Sequence, residues 1–101
     1  MDKIKEIIEG IENEYSILKE LPSIIEDCEK EIYGFEEQIT HTHNRYIDGV
    51  YDEETYEDEL KFNEDEMKKC LEGLNHYKWE VKEQCLIIID ELKEVLKELE
   101  N

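Results

Sequence analysis

Residues that interrupt helices are what this chain lacks most. Proline occurs once, at Pro22, and glycine four times in 101 residues. Because these two residue types most often end helices or form turns, their scarcity argues against a loop-rich fold and predicts long uninterrupted elements.

Long apolar runs and cysteine pairs are also missing. The longest apolar run, Cys85 to Ile89, is far shorter than a membrane span, and the N-terminus has no apolar core of a signal peptide. The three cysteines are an odd number without a CxxC pair, which favours small buried side chains in a reducing compartment. The sequence therefore predicts a cytoplasmic location.

Basic residues are few: twelve against thirty acids, for a net charge of −18. Such an excess of negative charge repels phosphate, which argues against direct binding to nucleic acid or to an anionic membrane. It favours a basic partner, and a nucleic-acid-binding protein is the obvious kind.

No catalytic or cofactor motif is present. Ser16 and Ser23 are the only serines, neither lies in a G-x-S-x-G motif, and there is no glycine-rich phosphate loop. Glu72 and His76 could share a metal, but no second such pair exists. A Mg²⁺-dependent nucleotide hydrolase would need inward-facing acids, whereas most acids here lie away from the apolar stripe. We expect no enzyme activity, no metal and no cofactor.

Apolar residues recur at helical spacing along three segments and predict an all-α fold. The first segment carries Ile4, Ile7, Ile8, Ile11, Tyr15 and Leu18; the second Ile25, Cys28, Ile32, Phe35, Ile39 and Tyr46; the third Tyr56, Leu60, Met67, Leu71, Leu74, Val81, Cys85, Ile88, Leu92, Leu96 and Leu99. Pro22 is expected to separate the first two helices. Asp48-Gly49 should end the second and Asp52 should cap the third, with a kink or break near Gly73.

The arms on either side of Gly49 are nearly equal in length. Folding the chain there pairs Ile39 with Leu60 and places Ile8 opposite Leu92, so that apolar positions meet. We therefore predict one helical domain, 1–101, as an antiparallel hairpin or coiled coil of three helices. A two-stranded hairpin exposes the flanks of its stripe, so it would gain by dimerising into a four-helix arrangement or by folding into a compact bundle.

Acid is concentrated in the middle of the chain. Ten carboxylates and one lysine lie between Asp48 and Glu66, and residues 23–76 carry seventeen acids against five bases. The simplest interpretation is a solvated helix face that keeps the protein soluble. The uneven distribution and the interleaved tyrosines favour a binding surface instead. Its predicted residues are Asp48, Tyr51, Asp52, Glu53, Glu54, Tyr56, Glu57, Asp58 and Glu59.

Two resemblances follow from these residues. The string Arg45-Tyr-Ile-Asp-Gly-Val-Tyr-Asp-Glu-Glu-Thr-Tyr56 resembles the turn of helical hairpins in the coiled-coil region of large serine recombinases, which implies a hairpin and not recombination. The overall profile (short, very acidic, helical, without a catalytic motif) is similar to small phage-encoded inhibitors of the anti-CRISPR and DNA-mimic type. That similarity implies a protein that occupies a basic nucleic-acid or guide-RNA groove, and it assigns no individual residue.

The leading hypothesis from the sequence is a non-enzymatic acidic inhibitor of a host defence nuclease, such as a CRISPR effector, acting in the host cytoplasm. The alternative is a structural coiled-coil assembly or adaptor protein of a phage or mobile element. The alternative would use its apolar flanks, rather than its acids, to bind a partner helix.

Overall fold

Two long helices make up the chain. The computed structural model describes residues 2–100, with helix α1 at Asp2–Ile47 and helix α2 at Glu53–Glu100. No strand occurs within these residues. The all-α prediction is confirmed, whereas the prediction of three helices is wrong.

Helix α1 runs through Pro22 without a break. Proline removes one backbone hydrogen bond and its ring crowds the preceding turn, which costs roughly 3 kcal/mol in a helix interior. The helix continues because its neighbours are packed: Leu21 is only 4% exposed, and Ile24 and Ile25 are half-buried. Tertiary packing offsets the local preference to break.

Helix α2 likewise continues through Gly73. A glycine there costs about 1 kcal/mol relative to alanine, less than one well-buried leucine contributes. The next residue, Leu74, is 8% exposed and holds this turn in the helix. The break expected near Gly73 does not occur, and α2 is one helix through this position.

The described chain divides into two compact units. The terminal unit comprises the residues up to Ile25 and those from His76 onward, and the turn unit is Glu26–Asn75. Each unit is an antiparallel pair of helix segments. In the terminal unit Lys3 Nζ lies 3.2 Å from Glu98 Oε1, and in the turn unit Cys70 Sγ lies 3.4 Å from Glu31 Oε2. The antiparallel sense of the predicted hairpin is confirmed within each unit.

The core is thin. Leu21, in the terminal unit, and Leu74, in the turn unit, are the only buried hydrophobic residues between residues 2 and 100, and the turn unit also has two buried polar residues, Thr42 and Asn63. The Thr42 hydroxyl donates a hydrogen bond to the Gln38 carbonyl oxygen at 2.9 Å, which satisfies its polar group within the helix.

Leu74 is the only residue of the predicted apolar stripe that is buried. Most of the stripe is half-buried, but Leu92, Leu96 and Leu99 are 49%, 60% and 63% exposed. In their place Glu91, Val95 and Glu98 lie on the half-buried face. A single neighbouring helix covers only part of a wide apolar stripe, so one flank of α2 is left open.

Candidate functional site

The turn between the helices is a Schellman motif built around Gly49. Gly49 has φ +77°, its N–H donates to the Tyr46 carbonyl at 3.1 Å, and the Val50 N–H donates to the Arg45 carbonyl at 2.9 Å. These two bonds satisfy carbonyls that the end of α1 would otherwise leave unpaired. The left-handed stop expected at Gly49 is confirmed, and it fixes the start of the acidic segment.

Asp52 caps helix α2 as the sequence predicts. Its Oδ1 accepts a hydrogen bond from the Thr55 backbone N–H at 2.8 Å, and its carbonyl accepts one from the Tyr56 N–H at 3.0 Å. The bond from the Thr55 N–H favours the ionised carboxylate and lowers the pKa of Asp52 below its ordinary value. The cap also places Glu53 and Glu54 in the first turn, at the positive end of the helix dipole.

This cap predicts a pH-dependent stability. A depressed pKa contributes stability that is present above the ordinary value of 3.8 and is lost as the pH falls through the lower folded value. We expect Asp52→Ala to lower the Tm at pH 7, with a deficit that shrinks below about pH 4. Thermal unfolding across pH 2.5–7 measures it, at roughly half-unit steps.

Asp52→Asn is the matched control, because asparagine caps a helix without ionising. Its Tm at pH 7 should stay close to that of the wild type. A deficit of Asp52→Ala that is the same at every pH would show that the ionised carboxylate contributes nothing to the cap.

The predicted acidic surface is solvent-exposed and unneutralised. All ten carboxylates between Asp48 and Glu66 are exposed except the half-buried Glu66. Glu66 accepts a salt bridge from Lys69 at 3.0 Å, which raises the pKa of that lysine. Within residues 2–100 the other nine carboxylates form no salt bridge. Their negative charge is therefore available to a partner.

Helical periodicity arranges six of these acids in two rows. Glu53, Glu57 and Glu64 follow one side of α2, and Glu54, Asp58 and Asp65 follow a second row about 100° further round the helix. Members four residues apart lie about 6 Å apart along the axis. The face packed on α1 carries Tyr56, Leu60, Asn63 and Met67 instead. The acids thus form a regular negative surface on the outer side of the turn unit.

The two tyrosines of the predicted site are held by contacts within the turn unit. The Tyr56 ring stacks on Tyr46 with centroids 4.3 Å apart and planes at 21°, and its hydroxyl is hydrogen bonded to His43 Nδ1 at 2.6 Å. Arg45 Nη1 donates to the Tyr51 hydroxyl at 2.9 Å, and its guanidinium lies 5.4 Å from the centre of that ring. Both tyrosines are half-buried.

These contacts brace the end of the turn unit. Tyr56 connects the first turn of α2 with the last turns of α1 through its contacts with Tyr46 and His43. Arg45, near the end of α1, connects that helix with Tyr51 in the turn. Both bridges keep the surrounding carboxylates on a fixed backbone. The His43–Tyr56 and Arg45–Tyr51 pairs are not among the features predicted from the sequence. The near-equal distances of His43 and Tyr56 from Gly49 were the only available signal.

Cys70 is half-buried against a carboxylate. Burial, followed by the hydrogen bond and negative charge of Glu31, raises the pKa of the Cys70 thiol. A protonated thiol is a poor nucleophile and a poor metal ligand. Cys28, Cys70 and Cys85 are all free thiols.

Metal-ligating side chains do not gather in groups of three or more anywhere in residues 2–100. His76 lies 2.7 Å from Glu80 through its Nε2 atom. Neither helix, over the part of the chain that the structure describes, is apolar enough over a sufficient length to cross a membrane.

The fold and surface define an all-helical protein with a thin core, an acidic turn unit and a terminal unit that carries less charge. No protein-family model matches the chain, and searches of curated proteins and of solved structures find no match either.

Proposed function

We propose that the protein is a non-enzymatic inhibitor that binds a basic, nucleic-acid-binding surface of another protein. The observation that carries the proposal is the row of exposed carboxylates on α2 without cationic partners in residues 2–100. Such carboxylates can take the places that phosphates occupy between lysine and arginine side chains.

The charge is divided unequally between the two units. The turn unit, Glu26–Asn75, carries seventeen acids and five bases, a net charge of −12, while the rest of the sequence carries thirteen acids and seven bases, a net charge of −6. Self-repulsion in the turn unit opposes folding, and a basic partner would relieve it on binding. The uneven distribution favours a binding role over general solubility, which needs no such concentration.

The binding surface is proposed to consist of the residues predicted from the sequence, as contacts or as supports of those contacts. Asp48, Glu53, Glu54, Glu57, Asp58 and Glu59 would meet lysine and arginine directly. Asp52 and the half-buried Tyr51 and Tyr56 would hold these acids in position, with the exposed edges of both rings at the rim. Steering between opposite charges should make association fast.

The partner proposed is a host defence nuclease, of which an RNA-guided CRISPR effector is one kind, met in the host cytoplasm. Its nucleic-acid groove offers the basic residues that this surface requires, and occupation of the groove would exclude the substrate. The profile's similarity to phage-encoded inhibitors supports this choice.

Salt dependence tests the proposal. Purified RNA-guided and restriction nucleases, each holding a fluorescein-labelled nucleic-acid duplex, are titrated with the protein, and displacement of the duplex is followed by anisotropy. We expect displacement from at least one nuclease at about 0.1 M salt and a roughly tenfold or greater loss of affinity at about 0.5 M, where the screening length is only a few ångströms. Displacement that is insensitive to salt, or absent throughout, contradicts the proposal.

A second candidate function is that of a coiled-coil assembly or adaptor protein. The exposed leucines on α2 favour it, because they could pack against a helix of a partner. Its binding would survive about 0.5 M salt and would be lost on apolar, not acidic, substitution.

A further inference from the structure

The terminal unit exposes far more apolar surface than its thin core hides. Ten of the sixteen exposed large hydrophobic residues lie in it: Ile8, Tyr15, Ile17, Trp79, Leu86, Ile87, Ile89, Leu92, Leu96 and Leu99. Leu21 is its only buried hydrophobic residue among those described. Scattered exposed apolar residues are ordinary, whereas a contiguous apolar patch among them marks a site of interaction.

On α2 the exposed residues form one stripe. Ile89, Leu92, Leu96 and Leu99 are spaced by three, four and three residues, the pattern of a packing seam, and they are 46–63% exposed. The face packed on α1 is a different one. Glu98 meets Lys3 there, and Glu91 Oε2 lies 3.5 Å from where a Cβ on Gly10 would be. The stripe is turned roughly 90° from that packed face.

On α1 the exposed Ile8 and Tyr15 form the matching stripe. Both lie beside the half-buried Ile4, Ile11 and Leu18. They too are turned roughly 90° from the face that packs on α2. Since both helices are right-handed and run in opposite directions, these rotations bring the two stripes to the same side of the pair. We call the resulting surface, made of Ile8, Tyr15, Ile89, Leu92, Leu96 and Leu99, the open face.

We propose that a second copy of this chain covers the open face, which gives a homodimer with a four-helix core in the terminal units. A folded monomer of 12.2 kDa is expected to expose about 6,100 Å². This chain exposes 7723 Å², about 1,600 Å² more. A stable interface of standard size takes about 800 Å² from each copy, roughly half of that excess. This proposal is independent of the proposed inhibitory function.

Charge favours contact between two terminal units over contact between two turn units. The terminal unit holds seven of the twelve basic residues in the sequence. Lys82 and Lys93 border the open face on α2, while Lys5, Glu12 and Lys19 border it on α1. A two-fold interface repeats each contact, so Glu12 of one copy can lie against a lysine of the other. The turn unit, at a net charge of −12, would instead repel its equivalent.

The test is the mass of the full chain in solution. Sedimentation equilibrium from about 1 to 100 µM is expected to show twice the 12.2 kDa chain mass. The double variant Leu92→Glu/Leu96→Glu should have the mass of one chain over the same range. The milder Leu92→Ala/Leu96→Ala should fold and weaken the dimer at least roughly 100-fold.

Ile17→Glu/Ile87→Glu is the matched control. These isoleucines are 49% and 39% exposed, similar to Leu92, but they lie on the opposite side of the helix pair. This variant should remain a dimer. A wild-type chain that is monomeric at about 100 µM, or an alanine double variant as strongly dimeric as the wild type, overturns the proposal.

Discussion

Reversing Glu53, Glu57 and Asp58 together to lysine is expected to weaken binding to a basic partner at least roughly 100-fold, because three attractive contacts become repulsive. The three side chains are exposed, lie within two turns of α2 and form no salt bridge in residues 2–100. Their replacement removes no packing contact from the thin core. Displacement of a labelled duplex from a susceptible nuclease measures the loss.

Two measurements separate a lost contact from a lost fold. Lysine in the first turn opposes the helix dipole slightly, so circular dichroism must show that the helix content is retained. The control variant reverses Glu6, Glu20 and Asp90, three exposed acids of the terminal unit that lie away from the open face. It has the same net charge as the test variant and should bind within a few-fold of the wild type. Equal weakening by both variants would mean that only total charge matters.

Replacing Pro22 by alanine is expected to stabilise the protein by about 2 kcal/mol. Alanine regains the hydrogen bond that proline lacks and removes the ring's clash, a gain of roughly 3 kcal/mol, while the unfolded chain recovers freedom worth up to about 1 kcal/mol. Pro22 is exposed, so no core packing is lost. Thermal unfolding at one fixed protein concentration should show a Tm higher by about 8–16 °C.

Ser23→Ala is the control for this substitution. Ser23 is the exposed neighbour of Pro22 in the same helix, and its replacement changes only helix propensity, by less than about 0.7 kcal/mol. If Pro22→Ala left the Tm unchanged or lowered it, the backbone geometry that proline imposes would be a requirement for packing Leu21. The helix would then depend on its proline for tertiary reasons.

The local features around the turn could be predicted from the sequence. Gly49 is the residue type that accepts a positive φ, and Asp52 is the type that accepts a hydrogen bond from a first-turn N–H. Both effects depend on the backbone within a few residues, so they can be inferred without knowledge of the fold. The carboxylates between Asp48 and Glu66, except Glu66, are exposed, as charged side chains generally are.

Features that depend on long-range packing were not predictable in the same way. The sequence around Pro22 and Gly73 indicated breaks, but both helices are continuous there, and each has a buried leucine beside the expected break, Leu21 and Leu74. The binding role of the acidic surface stays a prediction, as does its partner. The His43–Tyr56 bond could not be foreseen because it needs the register of two helices to within one residue.

The sequence by itself determined an all-helical protein, the position of its turn, the cap of α2 and the segregation of charge toward that turn. These follow from residue types and their periodicity, which act locally. Only the tertiary structure decided that there are two helices rather than three, and which flank of the apolar stripe remains in water. Both were decided by how many side chains one neighbouring helix can cover, a quantity that depends on packing between distant segments.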